Sequence, residues 1–278
     1  MIKVLELFAG IGACSKALTN LGIEHEIVDA VEIDKYAIAS FNAIHGTSFE
    51  PQDITKWDKD IQVDLIMHGS PCQDFSVAGK GAGGDFVFPE PIELNKKLEN
   101  MLDDEVDEKF YLTESNIKTI NRNFGSKGKI LDLDGFSVVE KMTYPSRINQ
   151  KKGETICPTL VSAMGTGGGN VPVIVASRGR NPNNPSDRTP GAPTVQRLEP
   201  RFDGCTNTLT SVQKDNYVAR NGSLRKLTPK ECWRLMVFDD SDFEKAEKVN
   251  SNTQLYKQAG NSIVVNVLKA ILKELLCK

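Results

Sequence analysis

The spacing of apolar positions along the first 70 residues predicts strands that alternate with helices. The predicted strands lie at residues 4–8, 26–31 and 63–67, and the predicted helices at 13–21 and about 36–44. The first strand runs into a glycine-containing turn and the third into a loop that contains proline. This order predicts an α/β fold built on a doubly wound parallel sheet.

The alternation ends after the third strand. Residues 86–92 contain two prolines that would break a helix, and an acidic, helix-prone stretch extends from there to about residue 112. Residues 113–219 are rich in loops and glycine, with short β-prone runs such as 171–175. This part of the chain is predicted to form a separate, irregular and mostly β module.

Two helices are predicted near the C-terminus. Thr228 is the expected N-cap of the first helix, with Pro229 in its first turn. The second helix is long and apolar from Ser262 onward, and the preceding segment QAGNS opens it, with Asn261 or Ser262 as the cap. A plain helix cap explains that segment by itself. Its combination with the N-terminal turn suggests that the last helix returns to complete an N-terminal crevice.

Composition narrows the class of protein. The 278 residues are 39% hydrophobic and 26% charged, with a net charge of −3, as in a soluble globular protein and unlike a disordered chain. No apolar run approaches the roughly 18 residues of a membrane span, so neither a membrane protein nor an exported one is expected. The six cysteines show no CxxC pair or histidine at ligand spacing, which predicts no metal site and no disulfide framework and suits a reducing cytoplasm.

The near-neutral total conceals two stretches of opposite charge. Residues 85–108 hold nine acidic residues against two lysines, whereas residues 178–230 hold ten lysines or arginines against four acids. A polyanion would bind the second stretch and avoid the first. The alternative for the basic stretch is a solvated surface without a partner.

The turn at 8–12, FAGIG, lies where the first strand passes into a helix, a place where glycines let the backbone approach a nucleotide. Glu32 follows the second strand and could accept hydrogen bonds from ribose hydroxyls, while residues 53–54 could hold an adenine. These features favour an adenosine-containing cofactor, although a nicotinamide dinucleotide would use a similar strand, turn and acid. Ser15 occupies the third glycine position of the dinucleotide fingerprint, which favours a cofactor without pyrophosphate.

Cys72 is the strongest candidate for a nucleophile. It lies in the segment GSPCQDFS, a proline-constrained loop at the carboxyl end of the third strand, beside the predicted cofactor crevice. A buried, inert thiol is the favoured interpretation for the other five cysteines. His68 precedes the loop and is predicted to have a structural role at the rim of the sheet.

Five segments in order, FAGIG, EID, GSPCQDFSVAG, RKLTPKECWRLMVF and YKQAGNSIVVNVL, resemble the DNA cytosine carbon-5 methyltransferases of bacterial restriction-modification systems and phages. The resemblance implies a Rossmann-like methyltransferase sheet with a smaller, β-rich target-recognition domain. It also implies S-adenosyl-L-methionine as cofactor, double-stranded DNA as substrate and Cys72 as the nucleophile that adds to carbon 6 of a flipped cytosine. The residues that match the family's cofactor contacts are Phe8, Gly10, Gly12, Glu32, Ile33, Asp53, Ile54, Asn261 and Ser262.

The same resemblance implies four regions. Residues 1–85 would form the N-terminal part of the catalytic domain and 86–115 an acidic connector. Residues 116–225 would form the target-recognition domain, and 226–278 would return to the catalytic domain.

The chain departs from the family in its middle. The Glu-Asn-Val triplet, whose carboxyl group acts on the cytosine ring, and a later Gln-x-Arg-x-Arg run are absent, which indicates an internal deletion near Asp85. Residues 98–101, LENM, imitate the triplet but lie in the acidic stretch, and we interpret them as a decoy. The expected result is a narrow sheet with an exposed edge beside residues 63–67 and impaired catalysis, unless a complementing chain supplies the missing block; otherwise a monomer is expected. The alternatives are a non-catalytic DNA- or cofactor-binding remnant and, less favoured, a nicotinamide oxidoreductase.

Overall fold

A three-stranded parallel sheet organises the N-terminal part of the chain. In the computed structural model, β1 (Ile2–Leu7) lies between β2 (His25–Val31) and β3 (Leu65–His68), and both pairings are parallel. The structure describes residues 1–69, 98–113, 173–181, 183–184, 187, 189, 191–201, 209, 216–220 and 223–276. The predicted α/β class with a parallel sheet is confirmed.

The helices that follow β1 and β2 begin and end at recognisable residues. Helix α1 (Ala13–Asn20) starts after Gly12, and α2 (Lys35–His45) starts after Asp34, whose Oδ1 accepts a 2.9 Å hydrogen bond from the Tyr36 amide. Gly46, in the left-handed conformation, ends α2. The apolar residues of α2 pack on β2 in a cluster of Ala30, Ile38 and Phe41.

β3 is the outer strand of this sheet among the described residues. It pairs with β1 through residues 65–68, and its Met67 is buried while the neighbouring Ile66 is 55% exposed. Among the described residues no strand pairs with the other side of β3, where the sequence predicts an exposed edge.

Four helices complete the same compact unit. They are α3 (Pro229–Leu235), α4 (Asp240–Ala246), α5 (Asn252–Asn261) and α6 (Val265–Leu276). Helix α6 packs on α1 and α4 packs on α2. Helix α3 begins at Pro229 as expected, and the predicted long terminal helix is present. Its predicted start is wrong, because Asn261 and Ser262 close α5 and the terminal helix begins only at Val265.

The second compact unit contains residues 96–209 and 213–228. The strands in its described residues, β4 (Val173–Arg180), β5 (Val195–Arg201), β6 (Asn216–Arg220) and β7 (Ser223–Lys226), form an antiparallel sheet in the order β5-β4-β6-β7. The described part of the acidic stretch holds only short 3-10 turns, Leu98–Met101 and Glu108–Phe110, so the predicted helical character is wrong there.

No helix among the described residues is both long enough and apolar enough to cross a membrane.

Candidate functional site

The carboxyl ends of the three parallel strands are joined by backbone hydrogen bonds. The amide of Gly69, just after β3, donates to the Leu7 carbonyl oxygen at 3.2 Å. The amide of Ala9 donates to the Val31 carbonyl oxygen at 3.1 Å. The segments that follow β1, β2 and β3 therefore meet at one edge, where ligands of open α/β sheets bind.

The turn between β1 and α1 requires an unusual backbone. Phe8, Gly10 and Gly12 have positive φ angles of 54°, 58° and 81°. A Cβ at Gly12 would lie 2.1 Å from Nε2 of His45, so both the conformation and the space demand glycine there. Phe8 adopts this conformation without being glycine and leaves its ring 39% exposed, a strain of the kind found at ligand sites.

Glu32 holds the turn from the neighbouring strand. Its Oε2 accepts a 2.9 Å hydrogen bond from the Gly10 amide, and its Oε1 accepts a 2.8 Å hydrogen bond from the Asp34 amide. Each carboxylate oxygen has capacity for a second donor such as a ribose hydroxyl. The next side chain, Ile33, is 69% exposed and offers an apolar surface beside this carboxylate.

Asp53 lies at the start of a 3-10 helix, Ile54–Lys56, close to the same edge. The backbone of the adjacent Gln52 donates to the Glu32 carbonyl oxygen at 2.8 Å. Hydrogen bonds from the hydroxyl and amide of Thr55 lower the pKa of Asp53 below its ordinary value, so it is ionised at neutral pH.

A buried carboxylate, Asp29, fixes this segment against β2. It accepts hydrogen bonds from Nε2 of Gln52 at 2.8 Å, Nε1 of Trp57 at 2.9 Å and Nζ of Lys59 at 2.7 Å. Burial acts to raise the pKa of Asp29, but these hydrogen bonds and the Lys59 charge outweigh it and hold the pKa below its usual value. Asp29 therefore orders the loop that carries Asp53.

The end of α5 reaches the same edge of the sheet. A Cβ built at Gly69 would lie 3.7 Å from the carbonyl oxygen of Phe8 and 3.8 Å from Cδ1 of Ile263. Asn261 is the last residue of α5 and Ser262 is its C-cap, so both lie next to Ile263 although they do not open the last helix as predicted.

Cys72 lies outside the described residues, as does the rest of its loop. His68, the last residue of β3, has an exposed side chain. Burial raises the pKa of the Cys14 and Cys232 thiols, which agrees with the inert role predicted for cysteines other than Cys72.

Two buried carboxylates near this edge were not predicted from the sequence. Glu6, in β1, is 1% exposed, and Asp29, in β2, is 3% exposed. The signal that could have found them is a charged residue inside an otherwise apolar strand, since a buried charge needs designated partners.

The described residues at this edge fit an adenosine-containing cofactor. Glu32 and Asp53 supply carboxylate acceptors for hydroxyl and amino groups, and Phe8 and Ile33 supply exposed apolar surface for a ring. The left-handed turn brings backbone close to this edge with open space beside Gly10.

The comparison with protein families identifies the class. The model of the C-5 cytosine-specific DNA methylases matches this chain over residues 2–86 and 82–277. The chain therefore belongs to the C-5 cytosine-specific DNA methylases, and the predicted resemblance is confirmed. S-adenosylmethionine-dependent methyl transfer is the chemistry of this family.

Similar proteins and solved structures agree with this family assignment. The chain is 26% identical over 444 residues to the orphan methyltransferase M.SPBetaI of Bacillus phage SPbeta, covering 99% of this chain and 97% of that protein. A segment of 51 residues is 59% identical to the type II methyltransferase M2.ScrFI of Lactococcus lactis subsp. cremoris, covering 18% of this chain and 14% of that protein. The fold resembles the S. pombe Dnmt2 methyltransferase, with a TM-score of 0.56 and 15% identity over 99% of this chain and 98% of that one. The predicted Rossmann-like methyltransferase fold is thereby confirmed.

Proposed function

We propose that this protein methylates carbon 5 of cytosine within a specific sequence of duplex DNA, using S-adenosyl-L-methionine in the cytoplasm. The observation that carries the proposal is the hydrogen-bonded edge at which the turn 8–12 meets Glu32 and the loop of Asp53. Family membership supports the choice of reaction over hydride transfer to a nicotinamide.

The cofactor would be held by the nine residues that the family resemblance assigns. In this proposal Glu32 binds the ribose hydroxyls, Asp53 and Ile54 face the adenine, and Phe8 and Ile33 contact the rings. Gly10, Gly12, Asn261 and Ser262 provide close backbone or polar contacts. When bound, S-adenosyl-L-methionine supplies an electrophilic methyl group, and the polar residues of the site orient it.

Cys72 is the proposed nucleophile. Its sulfur would form a bond to carbon 6 of a cytosine flipped out of the duplex, which makes carbon 5 nucleophilic. Carbon 5 would take the methyl group as the methyl–sulfur bond of the cofactor breaks and S-adenosyl-L-homocysteine leaves. Loss of the carbon-5 proton to solvent and expulsion of the Cys72 thiolate would then restore the aromatic ring.

The proposed target-recognition region is residues 116–225, between an acidic connector at 86–115 and the returning segment 226–278. The antiparallel sheet of the second unit supports a β-rich module there. The register of β4 and β5 places Arg178 opposite Arg197. In this proposal both arginines contribute to the binding of DNA phosphates.

The proposal includes an internal deletion. The alignment with the phage relative spans 444 positions, many more than the 278 residues of this chain, so that relative carries residues without a counterpart here. The family match also divides into two segments that meet near residues 82–86. Because a missing general acid costs about 10² to 10⁴ in rate, we expect impaired methyl transfer unless a complementing chain supplies the block.

The test is transfer of a labelled methyl group from S-adenosyl-L-methionine to a duplex of mixed sequence, with the full chain alone and with Cys72→Ser. Slow incorporation that Cys72→Ser abolishes supports the proposal. Methyl incorporation by the Cys72→Ser variant would contradict the assignment of Cys72 as the nucleophile. Rapid turnover by the wild-type chain alone would contradict the expected impairment of methyl transfer.

A second candidate is a non-catalytic DNA- or cofactor-binding remnant, which the gapped alignment favours. A duplex that contains 5-fluorocytosine distinguishes the two, because a catalytic thiol becomes covalently trapped on it. Binding of that duplex without a covalent Cys72 adduct would favour the remnant.

A further inference from the structure

A fully buried carboxylate lies directly beneath the proposed cofactor turn. Glu6, two residues before Phe8, is 1% exposed and points from β1 toward α1. Its Oε1 accepts a 2.9 Å hydrogen bond from the Ser15 amide and a second hydrogen bond from the Ser15 hydroxyl. Such burial is unfavourable for a charge, so these two donors are the compensation that the fold provides.

Helix α1 cannot be capped in the usual way. The first-turn amides of a helix need acceptors, which a serine, threonine or aspartate at the N-cap commonly supplies. Here the N-cap is Gly12 with φ of 81°, and any Cβ there would lie 2.1 Å from Nε2 of His45. A side-chain acceptor must therefore come from outside the turn.

We propose that Glu6 is a positioning residue of the cofactor turn, which caps α1 from β1 in place of Gly12. Glu32 binds the amide of Gly10 at one end of the turn, and Glu6 binds the amide of Ser15 at the other. The segment between them is thus held at both ends by carboxylates, one from β1 and one from the residue that follows β2. This inference rests on the proposed function only for the identity of the ligand.

The charge on Glu6 makes this positioning dependent on pH. Burial raises the pKa of Glu6 to about 7, and the hydrogen bonds from Ser15 offset only part of that rise. The ionised carboxylate accepts stronger hydrogen bonds than the neutral acid. We therefore expect the turn to be held more firmly at pH 8 than at pH 6.

The experiment compares the wild-type chain with Glu6→Gln, Ser15→Ala and the exposed control Glu26→Gln. Isothermal titration calorimetry with S-adenosyl-L-methionine gives Kd at pH 6 and pH 8, and amide hydrogen exchange reports the peptide 8–16 in the absence of cofactor. We expect Glu6→Gln to raise Kd about tenfold at pH 8, the scale of a lost charge-assisted hydrogen bond, and to remove a roughly fivefold gain in affinity between pH 6 and pH 8. Ser15→Ala should weaken binding less, and Glu26→Gln should leave Kd unchanged.

Peptide 8–16 should exchange about tenfold faster in Glu6→Gln than in the wild type, while a peptide from α2 stays unchanged. A Glu6→Gln variant that keeps the wild-type Kd, pH dependence and exchange rates would overturn the proposal, as would a lower melting temperature alone. If Glu6→Gln does not fold, Ser15→Ala decides by the same measurements. If the wild type binds no S-adenosyl-L-methionine, the proposed function fails, whereas hydrogen exchange still decides whether Glu6 holds the turn.

Discussion

Val237 adopts a backbone conformation that valine strongly disfavours. Its φ is 68°, in the left-handed region, within the turn that follows α3. Glycine occupies this region without a steric penalty, whereas the Cβ of a β-branched residue clashes with the backbone. The strain identifies a residue at which the chain gives up stability.

We expect Val237→Gly to raise the free energy of unfolding by about 1 kcal/mol, because relief of the left-handed strain outweighs the added flexibility of glycine. Urea denaturation followed by circular dichroism measures this change. The matched control is Val249→Gly, whose exposed side chain has no positive φ and whose substitution should not stabilise the protein. A loss of stability in Val237→Gly would contradict this account of the strain.

Two buried groups titrate in opposite directions. Burial raises the pKa of Glu6 from 4.5 to about 7 and lowers the pKa of His45 from 6.5 to about 4. The Glu6 contribution to stability is therefore present below pH 4.5 and lost as the pH rises to about 7. The His45 contribution is present above pH 6.5 and lost as the pH falls to about 4.

Between pH 4.5 and 6.5 the two slopes have opposite signs, each about 1.4 kcal/mol per pH unit, and nearly cancel. Chemical denaturation across this range should show Glu6→Gln losing stability as the pH falls and His45→Gln losing stability as the pH rises. Parallel pH profiles for the wild type and both variants would show that neither group titrates as described.

At the candidate site, the sequence indicates which residues are candidates for cofactor contacts better than it indicates which side chains are buried in support of them. The turn 8–12 and Glu32 are predicted cofactor contacts because glycine and acidic residues just after parallel strands are typical of nucleotide-binding sites, and the structure joins them through the Gly10 amide. The supporting roles of Glu6 and Asp29 could not be predicted from the sequence. Only the packed sheet shows that their side chains are buried and which donors hydrogen-bond to them.

At the scale of elements, helices with clear stops were predicted well. Helix α2 was expected at about 36–44 and lies at Lys35–His45, because Asp34 and Gly46 mark its ends. The predicted helical character of the acidic stretch was wrong where the structure describes it. Its spacing also places like charges four residues apart, as at Glu99 and Asp103, which opposes a helix. Asn261 or Ser262 was wrongly predicted to cap the start of the last helix, because these residue types occur at the start of a helix as well as at its end.

The link between α1 and α4 depends on a partly hidden cation. Nζ of Lys16 lies 2.5 Å from Asp239 and 2.7 Å from Asp242, and the side chains of Lys16 and Asp242 are only 9% and 7% exposed. Burial acts to lower the pKa of Lys16, but the two carboxylates raise it above its ordinary value. Removal of the cation would leave the buried Asp242 carboxylate with the Asp239 backbone amide, 3.1 Å from its Oδ2, but without a neutralising positive charge.

We expect Lys16→Met to lower the free energy of unfolding by about 3 kcal/mol, the usual cost of breaking a buried pair from one side. The control, Lys257→Met, breaks a more exposed pair with Asp34 and should cost less than about 1 kcal/mol. Urea denaturation at neutral pH measures both variants. Equal costs would mean that burial does not distinguish the two ion pairs.

At the scale of the whole molecule, the chain divides its charge between parts. The stretch 178–230 is strongly basic, and most of it belongs to the second compact unit, whereas the parallel sheet and the proposed cofactor edge belong to the first. Such a division suits an enzyme whose substrate is a polyanion and whose cofactor lies elsewhere, because binding and chemistry can then be altered separately.

The paired arginines of β4 and β5 test this division directly. If Arg178 and Arg197 contact phosphates, the double variant Arg178→Gln/Arg197→Gln should weaken binding to a duplex of mixed sequence. It should also reduce the slope of log K against log salt concentration by about 2, since each lost phosphate contact removes about 0.9. Fluorescence anisotropy between 50 and 200 mM salt, roughly the range in which this effect is large, gives the slope.

The control Lys35→Gln/Lys248→Gln removes two exposed charges from the first unit and should leave the slope unchanged. Urea denaturation of the double variant checks that it remains folded, so that weaker binding reports lost contacts and not unfolding. An unchanged slope in the arginine variant would place the DNA contacts elsewhere.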